Sequence, residues 1–388
     1  MLNIKRDISD EVISMSKLYP VVTILGPRQS GKTTLAKMLF EDKPYVSMES
    51  PDIRELAISN PRGFFETFED GAIIDEIQKV PSLFSYIQEI VDQREKNGLF
   101  ILTGSNMGSL QEQITQSLAG RTAILKLLPF SINELKNIQD DCCVDEYIFS
   151  GMYPRVHKYN INPTKFYRDY VNTYLERDVR QIINIKNLRK FQLFLKLCAS
   201  RIGQIFNSSN IANEVGISHT TIMEWLSVLE ASFVIIMLKP YYENFGKRVI
   251  KSPKLYFTDI GLASYMLEIN TIEQISRDPS RGSLFENFVI MELFKHQFNS
   301  GLEPSFYYYN DSNGNEIDCL YRNGASLTPI EIKSSKTFDR SFLKGINKFN
   351  EISNRMSDKS FIIYSGSQEQ SIHNTEILNF KHLARLFE

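Results

Sequence analysis

The sequence predicts an α/β fold: a parallel sheet with helices on both faces, then a helical segment, a helix-turn-helix followed by strands, and a second, smaller α/β unit. Three observations carry this. Short β-branched runs alternate with helical spacing over the first 128 residues. The strand signal then fades after Pro129, and it returns as "FYYYN", "EIDCLY" and "TPIEIKSS" in the last third. A length of 388 residues gives a prior of two or three domains. The composition shifts place boundaries at 1–128, 129–200, 201–260 and 261–388.

The elements follow in order. "VVTIL" after Pro20 has the continuous apolar character of a buried parallel strand. "KTTLAKMLF" has helical spacing, "PYVSM" (44–48) and "GAIID" (71–75) read as strands, and 82–95 reads as a helix. "GLFILTGS" (98–105) and "RTAILKL" (121–127) give a fourth and a fifth strand. Residues 131–200 are mostly helical in pattern, with a periodic apolar face in "KFYRDYVNTYLERDVRQII". "NSSNIANEVGISHTTIMEWLSVLEASFVIIML" reads as helix, glycine turn, helix, strand. The basic stretch "KPYYENFGKRVIKSPKLYF" follows, and together they outline a winged helix-turn-helix. "SLFENFVIMELFKHQF" is a helix leading into the last strands.

Bulk properties exclude several classes. The chain is 42% hydrophobic and 12% aromatic, enough for ordinary cores. A net charge of −2 removes any global polycation signature, so contact with nucleic acid must come from a local patch. Cys142, Cys143, Cys198 and Cys319 form no C-x-x-C, and the five histidines are scattered, which argues against structural zinc and a disulfide framework. The polar start reads as no signal peptide, and runs such as Phe233–Leu238 are too short to cross a bilayer. A cytoplasmic protein with no membrane partner is the expectation.

The strongest motif is "LGPRQSGKTTL". Gly26, Gly31, Lys32 and Thr33 satisfy G-x-x-x-x-G-K-[ST] between a strand and a helix. Its glycines let backbone N–H groups curl around phosphate, and the following helix aims its positive end there. Lys32 adds charge near the β and γ phosphates, and Thr33 adds a hydroxyl for Mg²⁺. The cofactors implied are ATP and Mg²⁺. Pro27, Arg28, Gln29, Ser30 and Thr34 complete the loop, and Arg28 and Gln29 are placed to contact substrate or a neighbour. "AIIDE" ends a strand on two acids: Asp75 to hold Mg²⁺ through water, and Glu76 to orient and deprotonate the attacking water. "LFILTGSN" puts Ser105 and Asn106 at another strand tip, within reach of a γ-phosphate or that water.

These motifs resemble the AAA+ ATPases. "GPRQSGKTTL", "IIDEIQKVP", "ILTGSN" and "LAGR" resemble the AAA_14 family of bacteria and archaea, whose C-terminal half is of the DUF4143 type. "GMYPRV", "YLERDV", "LYFTDIGLA" and "RGSLFENFV" extend the resemblance over nearly the whole chain. It implies a P-loop AAA+ sheet with a helical lid, and ATP hydrolysis in a homo-oligomer with an arginine supplied by a neighbour. Arg121 in "SLAGRT" is the candidate, with Arg155 and Arg177 as further ones.

Two features bear on output. The second helix of the helix-turn-helix, "HTTIMEWLSVLE", carries Glu224 and Glu230 and no Lys or Arg, which disfavours base reading. Lys239, Lys247, Arg248, Lys251 and Lys254 face only Glu243, and could neutralise the phosphates of DNA or RNA. In "NEIDCLYRNGASLTPIEIKSS", a two-residue turn at Asn323-Gly324 places Asp318 opposite Pro329 and Glu331 opposite Glu316. Asp318, Glu331 and Lys333 then share a face, beside a helix bearing Glu286. The set resembles the PD-(D/E)xK nuclease core. That implies a metal site of Glu286, Asp318 and Glu331, with Lys333 serving water. An inherited fold without cleavage, or a surface ladder of acids and lysines, fits the same residues. Two outputs therefore stand: ATP-controlled binding or processing of nucleic acid, and an ATP-dependent switch or scaffold for a protein partner.

Overall fold

The computed structural model describes residues 4–136, 138, 142–175, 187–241, 252–353 and 359–388. The chain divides into two compact units. The first comprises 1–134 with 231–234 and 297–302, and the second comprises 135–230, 235–296 and 303–388.

The first unit is built on five strands: β1 Val21–Leu25, β2 Tyr45–Ser47, β3 Ala72–Asp75, β4 Phe100–Gly104 and β5 Thr122–Lys126. All are parallel, in the order β2-β3-β4-β1-β5. Each expected strand is present: β1 spans its whole expected run, β3 is shorter at one end, and β2, β4 and β5 are trimmed at both. β1, β3 and β4 are buried throughout, which explains their continuous apolar runs. Val22 and Ile24 of β1 join Ile8, Val12, Leu35, Ile73, Ile101 and Leu127 in one core. Each such side chain contributes about 1.5–3 kcal/mol by leaving water. The insertion of β4 between β1 and β3 has a chemical consequence. It sets the tips of β1, β4 and β3 side by side, so three polar loops from distant parts of the sequence meet at one sheet edge.

In the second unit, helices occupy most of 144–170 and 188–231. The helix Pro163–Tyr170 runs on as a π-helical turn, Val171–Leu175, and the remainder of the periodic stretch (176–186) lies outside the described residues. Helices Ser208–Val215 and His219–Ala231 are joined through Gly216 and followed by antiparallel β6 Ile235–Leu238 and β7 Lys254–Phe257. The first of these helices is capped by the Asn207 side chain, and Trp225 of the second packs edge-on against Phe191. The last strands form a mixed six-stranded sheet. They are β8 Phe306–Asn310, β9 Glu316–Asn323, β10 Ser326–Lys333, β11 Ser360–Tyr364, β12 Gln370–Ile372 and β13 Thr375–Asn379, in the order β12-β13-β11-β10-β9-β8.

Two distant motifs of this unit meet at one buried carboxylate. Asp259, in "FTDIG", accepts hydrogen bonds from Met152 N (2.7 Å), Tyr167 Oη (2.5 Å) and Leu262 N (3.1 Å). It thereby caps the helix Ile260–Met266 and fastens the "GMYP" segment to it. Burial works against the charge and raises its pKa, while these donors act in the opposite direction. Asp259→Ala strands the Met152 and Leu262 amides in the interior, while the Tyr167 hydroxyl keeps the Ser150 carbonyl. A loss of about 3 kcal/mol or more is expected, with Tyr167→Phe costing about 1 kcal/mol, read from the shift in chemical denaturation of this unit.

Candidate functional site

The phosphate loop follows β1. A side chain on Gly26 would strike the Leu127 carbonyl at 2.0 Å, and Gly31 sits at φ +98°, so the loop's path requires both glycines. Gln29, between them, is also held at positive φ (+63°). Gly31 caps the helix Lys32–Leu39, whose first amides open toward the loop. Lys32 is 5% exposed and donates to the carbonyls of Gly26 and Pro27, each at 2.9 Å. Burial lowers its pKa, while Glu76 and Asp75 act to raise it. Ser30 Oγ and Gln29 Oε1 are buried with no hydrogen-bond partner. Arg28 pairs with Glu49 at 3.7 Å, and Thr34 is exposed on the first helical turn.

Asp75 ends β3 and is a hub. Its Oδ1 accepts from Thr33 Oγ1 (2.9 Å) and from the Thr103 hydroxyl, and its Oδ2 accepts from Tyr45 Oη at 2.9 Å. Burial, with Asp75 next, raises the Tyr45 hydroxyl to about 12, so it remains a donor. Glu76 follows with φ +54°, a turn that carries its side chain off the strand. Its Oε2 accepts from Ser105 Oγ (2.9 Å) and from the Gln78 amide, and its backbone N–H donates to Thr103 Oγ1 (3.3 Å). Gln78 Nε2 also lies 3.4 Å from Ser105 Oγ, and Gln78 Oε1 is buried without a partner. Asn106 directly follows the β4 tip, ahead of the helix Met107–Ser117. The loop, Thr33, Asp75, Glu76 and Ser105 thus come together as the sequence predicts. The chemistry fits a nucleotide with Mg²⁺: a buried ammonium on exchangeable carbonyls, a hydroxyl–carboxylate pair, and an unpartnered loop hydroxyl.

Sequence reasoning missed Tyr45, Thr103 and Gln78. Thr103 had a signal, since a polar residue inside the buried run "FILTG" needs a partner. Tyr45 had none. Arg121 lies just before β5, whose parallel register with β1 puts it at the sheet edge opposite the phosphate loop, about 16 Å away over five residues. Its Nε and Nη2 grip Asp92 Oδ1 and Oδ2 at 2.5 and 2.9 Å. Arg155 is exposed on the second unit near the Tyr159 ring, and Arg177 lies outside the described residues.

The C-terminal acids also converge, with three corrections. The turn is Gly324-Ala325, because Asn323 pairs with Ser326. Pro329 therefore faces Leu320, not Asp318, and continuing the ladder beyond Cys319 and Ile330 puts Asp318 directly across from Glu331. A register shift of two keeps the parity, so the shared face survives. Second, Lys254 is not a wing cation. Its side chain is 2% exposed, with Nζ 2.6 Å from Glu316 and 3.7 Å from Glu286. Third, among the described residues no group of three or more His, Cys, Asp or Glu side chains is arranged to hold a metal ion. Glu286, Asp318 and Glu331 have ammonium groups among them instead. Lys333 donates to Asp318 Oδ2 (3.1 Å) and to Glu331, and Ile332 N donates to Asp318 Oδ2 at 2.8 Å. Tyr256 Oη donates to Glu286 at 2.5 Å. Burial, then Asp318, lifts Glu331 to about 8 and Glu286 to about 7. Asp318 is itself opposed by burial, yet Lys333 and Lys254 hold it below the usual range. Of the other expected wing cations, Lys239 is exposed, and Lys247, Arg248 and Lys251 lie outside the described residues.

Comparison with known proteins divides the chain three ways. Residues 18–136 match the model of an AAA domain (AAA_14), 143–273 a domain of unknown function (DUF8612), and 281–383 a domain of unknown function (DUF4143). An uncharacterized protein of Mycobacterium tuberculosis is 27% identical over 343 residues, 87% of this chain and 75% of the relative. An uncharacterized protein of Haemophilus influenzae is 24% identical over 346 residues, 80% of this chain and 82% of that one. Among solved structures, the Walker-type ATPase PABY2304 of Pyrococcus abyssi has a TM-score of 0.48 at 16% identity, covering 68% of this chain and 96% of that one. The RuvB Holliday junction branch migration motor of Thermotoga maritima has a TM-score of 0.30 at 20% identity, covering 60% and 89%. No helix among the described residues is long and apolar enough to cross a membrane.

The lysine-neutralised acids yield a prediction with a definite pH sign. Lys254→Met leaves the largely enclosed Glu286 and Asp318 without that ammonium, beside the exposed Glu316. It is expected to cost about 3–5 kcal/mol at pH 8. The loss depends on ionised carboxylates: Glu286, already raised to about 7, and Asp318, held low in part by Lys254, both move upward when that ammonium is removed. It should therefore shrink as pH falls through those values, and vanish below the ordinary carboxylate range of about 4. Thermal unfolding of both proteins between pH 4 and 8 measures it.

Proposed function

We propose that this chain, an AAA-type P-loop ATPase of the kind that joins an AAA_14 domain to a DUF4143 domain, binds Mg–ATP and hydrolyses it to ADP and phosphate. One observation carries the reading: two polar pairs, Thr33–Asp75 and Ser105–Glu76, lie beside a buried lysine whose hydrogen bonds among the described residues go to loop carbonyls. On nucleotide binding, Lys32 exchanges those carbonyls for β- and γ-phosphate oxygens. Thr33 and Asp75 would hold Mg²⁺, which supplies charge neutralisation for the phosphates. A water oxygen attacks the γ-phosphorus, the bond to the β–γ bridging oxygen breaks, and the water's proton passes to Glu76. Ser105 and Gln78 keep the Glu76 carboxylate aimed, and Gln78 Oε1 accepts the water's second hydrogen. Arg121 is too far from its own loop to act there. It serves a neighbouring copy in an oligomer, leaving Asp92 to do so.

For the output, the exposed face of the second helix, with His219, Thr220, Met223, Glu224 and Ser227, offers no Lys or Arg to a groove. Nucleic acid would then be held through backbone phosphates by Lys239 and the basic stretch 247–251, without base reading. The burial of Lys254 favours a second reading, in which the C-terminal sheet has kept a nuclease-like outline but serves a protein partner. Labelled DNA and RNA, titrated in rising salt with ATP and with Mg²⁺ or Mn²⁺, separate the two. Steep salt dependence supports the first, and its absence on every substrate supports the second.

Three variants test the chemistry. Lys32→Ala is expected to lose ATP binding. Glu76→Gln is expected to bind ATP and turn over at least about 100-fold more slowly. Arg121→Ala is expected to slow turnover by about 10³-fold or more. Mixing the inactive Lys32→Ala and Arg121→Ala proteins should restore part of the activity, since each supplies what the other lacks. Chelation of divalent metal with EDTA should abolish phosphate release. Unchanged phosphate release in both Lys32→Ala and Glu76→Gln would refute the assignment.

A further inference from the structure

The phosphate loop is held from behind by a residue that no motif marks. Arg6 precedes the first helix, Ser9–Leu18, and is 5% exposed. Its guanidinium splits its donors among three segments. Nη1 donates to the Ser30 carbonyl at 2.7 Å, Nη2 to the Leu128 carbonyl at 2.7 Å, and Nε to Glu134 Oε1 at 2.9 Å. The Phe130 ring lies 4.9 Å from the guanidinium carbon. Glu134 is 3% exposed, and also accepts from Asp7 N (2.7 Å) and Ser131 N (2.9 Å). The ion pair is thus buried with the hydrogen bonding that such pairs require.

We propose that Arg6 is the positioning residue of the phosphate loop: by pinning the Ser30 carbonyl it fixes the peptide whose N–H, on Gly31, must face the phosphates. The geometry is that of any trans peptide. The C=O and N–H of one unit point in opposite directions within a plane. With the Ser30 oxygen drawn toward Arg6, the Gly31 N–H is turned the other way, across the loop. Gly31 sits at φ +98° and Gln29 at φ +63°, backbone that rotates readily or is strained unless held. A preset amide is worth more to a phosphate than one that must be ordered on binding. Planarity and branching matter, because a guanidinium spreads its donors over three nitrogens in a fixed plane, whereas an ammonium offers all its donors from one nitrogen on a flexible stem. Arg6 touches no reacting atom, so its effect falls on phosphate recognition.

This inference rests on the ATP reading above, and the experiment separates the two. Affinities for ATP, ADP and adenosine are measured on the full chain, together with melting temperature and the KM and kcat of hydrolysis. The proteins are wild type, Lys32→Ala, Arg6→Lys, and the double variant Arg6→Met with Glu134→Met. The double variant removes both buried charges, so the fold is not left with an unpaired carboxylate. Arg6→Lys and the double variant are expected to lose about ten- to a hundredfold in ATP and ADP affinity and to raise KM accordingly. Adenosine affinity should stay at the wild-type level, which a general loosening of the unit would not allow. If wild type binds ATP and Lys32→Ala does not, but the double variant binds ATP as wild type does, the role of Arg6 is overturned and the ATP reading stands. Equal losses for ATP and adenosine would also overturn it, by showing a structural role alone. If wild type itself binds no ATP, the ATP reading fails first.

Discussion

The first unit depends on the carboxylate of Asp75. It accepts hydroxyls from Thr33 on the helix after the phosphate loop, Tyr45 on β2 and Thr103 on β4, so four segments meet at two oxygens. A carboxylate is acceptor-only when ionised and can take about four hydrogen bonds, so three hydroxyls nearly saturate it. Such a group in a largely buried position must be either neutral or well solvated by the protein. Those three donors fix its direction. A strand order with β4 between β1 and β3 is what makes this possible, because Thr103 must stand beside Asp75 and Thr33 must come down from the β1 side. Topology and chemistry are one constraint here. A sheet with β1 next to β3 would bring the loop and the acid together but would leave Ser105 no place beside Glu76.

Two of the lysine–carboxylate clusters among the described residues differ in how their ammonium groups are held. In the first unit, Lys32 is bound to neutral carbonyl oxygens, and the nearby acids are occupied by hydroxyls and an amide. No strong ion pair must be broken before a phosphate arrives. In the second unit the reverse holds. Lys333 bridges Asp318 and Glu331, and Lys254 lies against Glu316 and Glu286, so each ammonium has charged partners at hand. Separating such partners in a buried place is expensive, since each charge loses both its partner and water. The first arrangement is poised for exchange and the second is closed on itself. That difference, more than the number of acids, distinguishes the two clusters.

Much of this was legible in the sequence, and the limits have physical causes. The phosphate loop, the acids at the end of "AIID" and the polar tip of β4 are local: strand period and loop spacing fix them without knowledge of the rest. The convergence of Asp318, Glu331 and Lys333 was legible for a subtler reason. The turn sits one residue later than expected, which moves the register by two, and a shift of two leaves every side chain on its face. Lys254 was misread because charge density along the chain says nothing of burial. A lysine in "KSPKLYF" looks like its basic neighbours until the strand direction turns it inward toward Glu286 and Glu316. Tyr45 and Arg6 were invisible for the same reason. Their partners lie 30 residues away for Tyr45, and 24, 122 and 128 residues away for Arg6. No spacing rule spans such distances.

The distribution of unsatisfied polar atoms gives an independent view of the first site. Six buried side-chain nitrogen or oxygen atoms among the described residues lack a hydrogen-bond partner, and three of them, on Gln29, Ser30 and Gln78, lie in the phosphate loop or beside Glu76. Each unmade bond of this kind costs about 1–3 kcal/mol. The same chain surrounds the buried Asp259 with three donors. The chemistry of the exceptions is also specific. A serine hydroxyl in the loop can donate to a phosphate oxygen, and an amide oxygen beside a general base can accept from a water. On the proposed function, ligand and water would supply partners for these atoms, and two of the positive-φ residues, Gln29 and Glu76, fall on the same two segments. Half of these unsatisfied atoms thus fall where, on the proposed function, a triphosphate would be gripped and a water aimed, and the other half, on Thr164, Arg201 and Ser353, lie elsewhere.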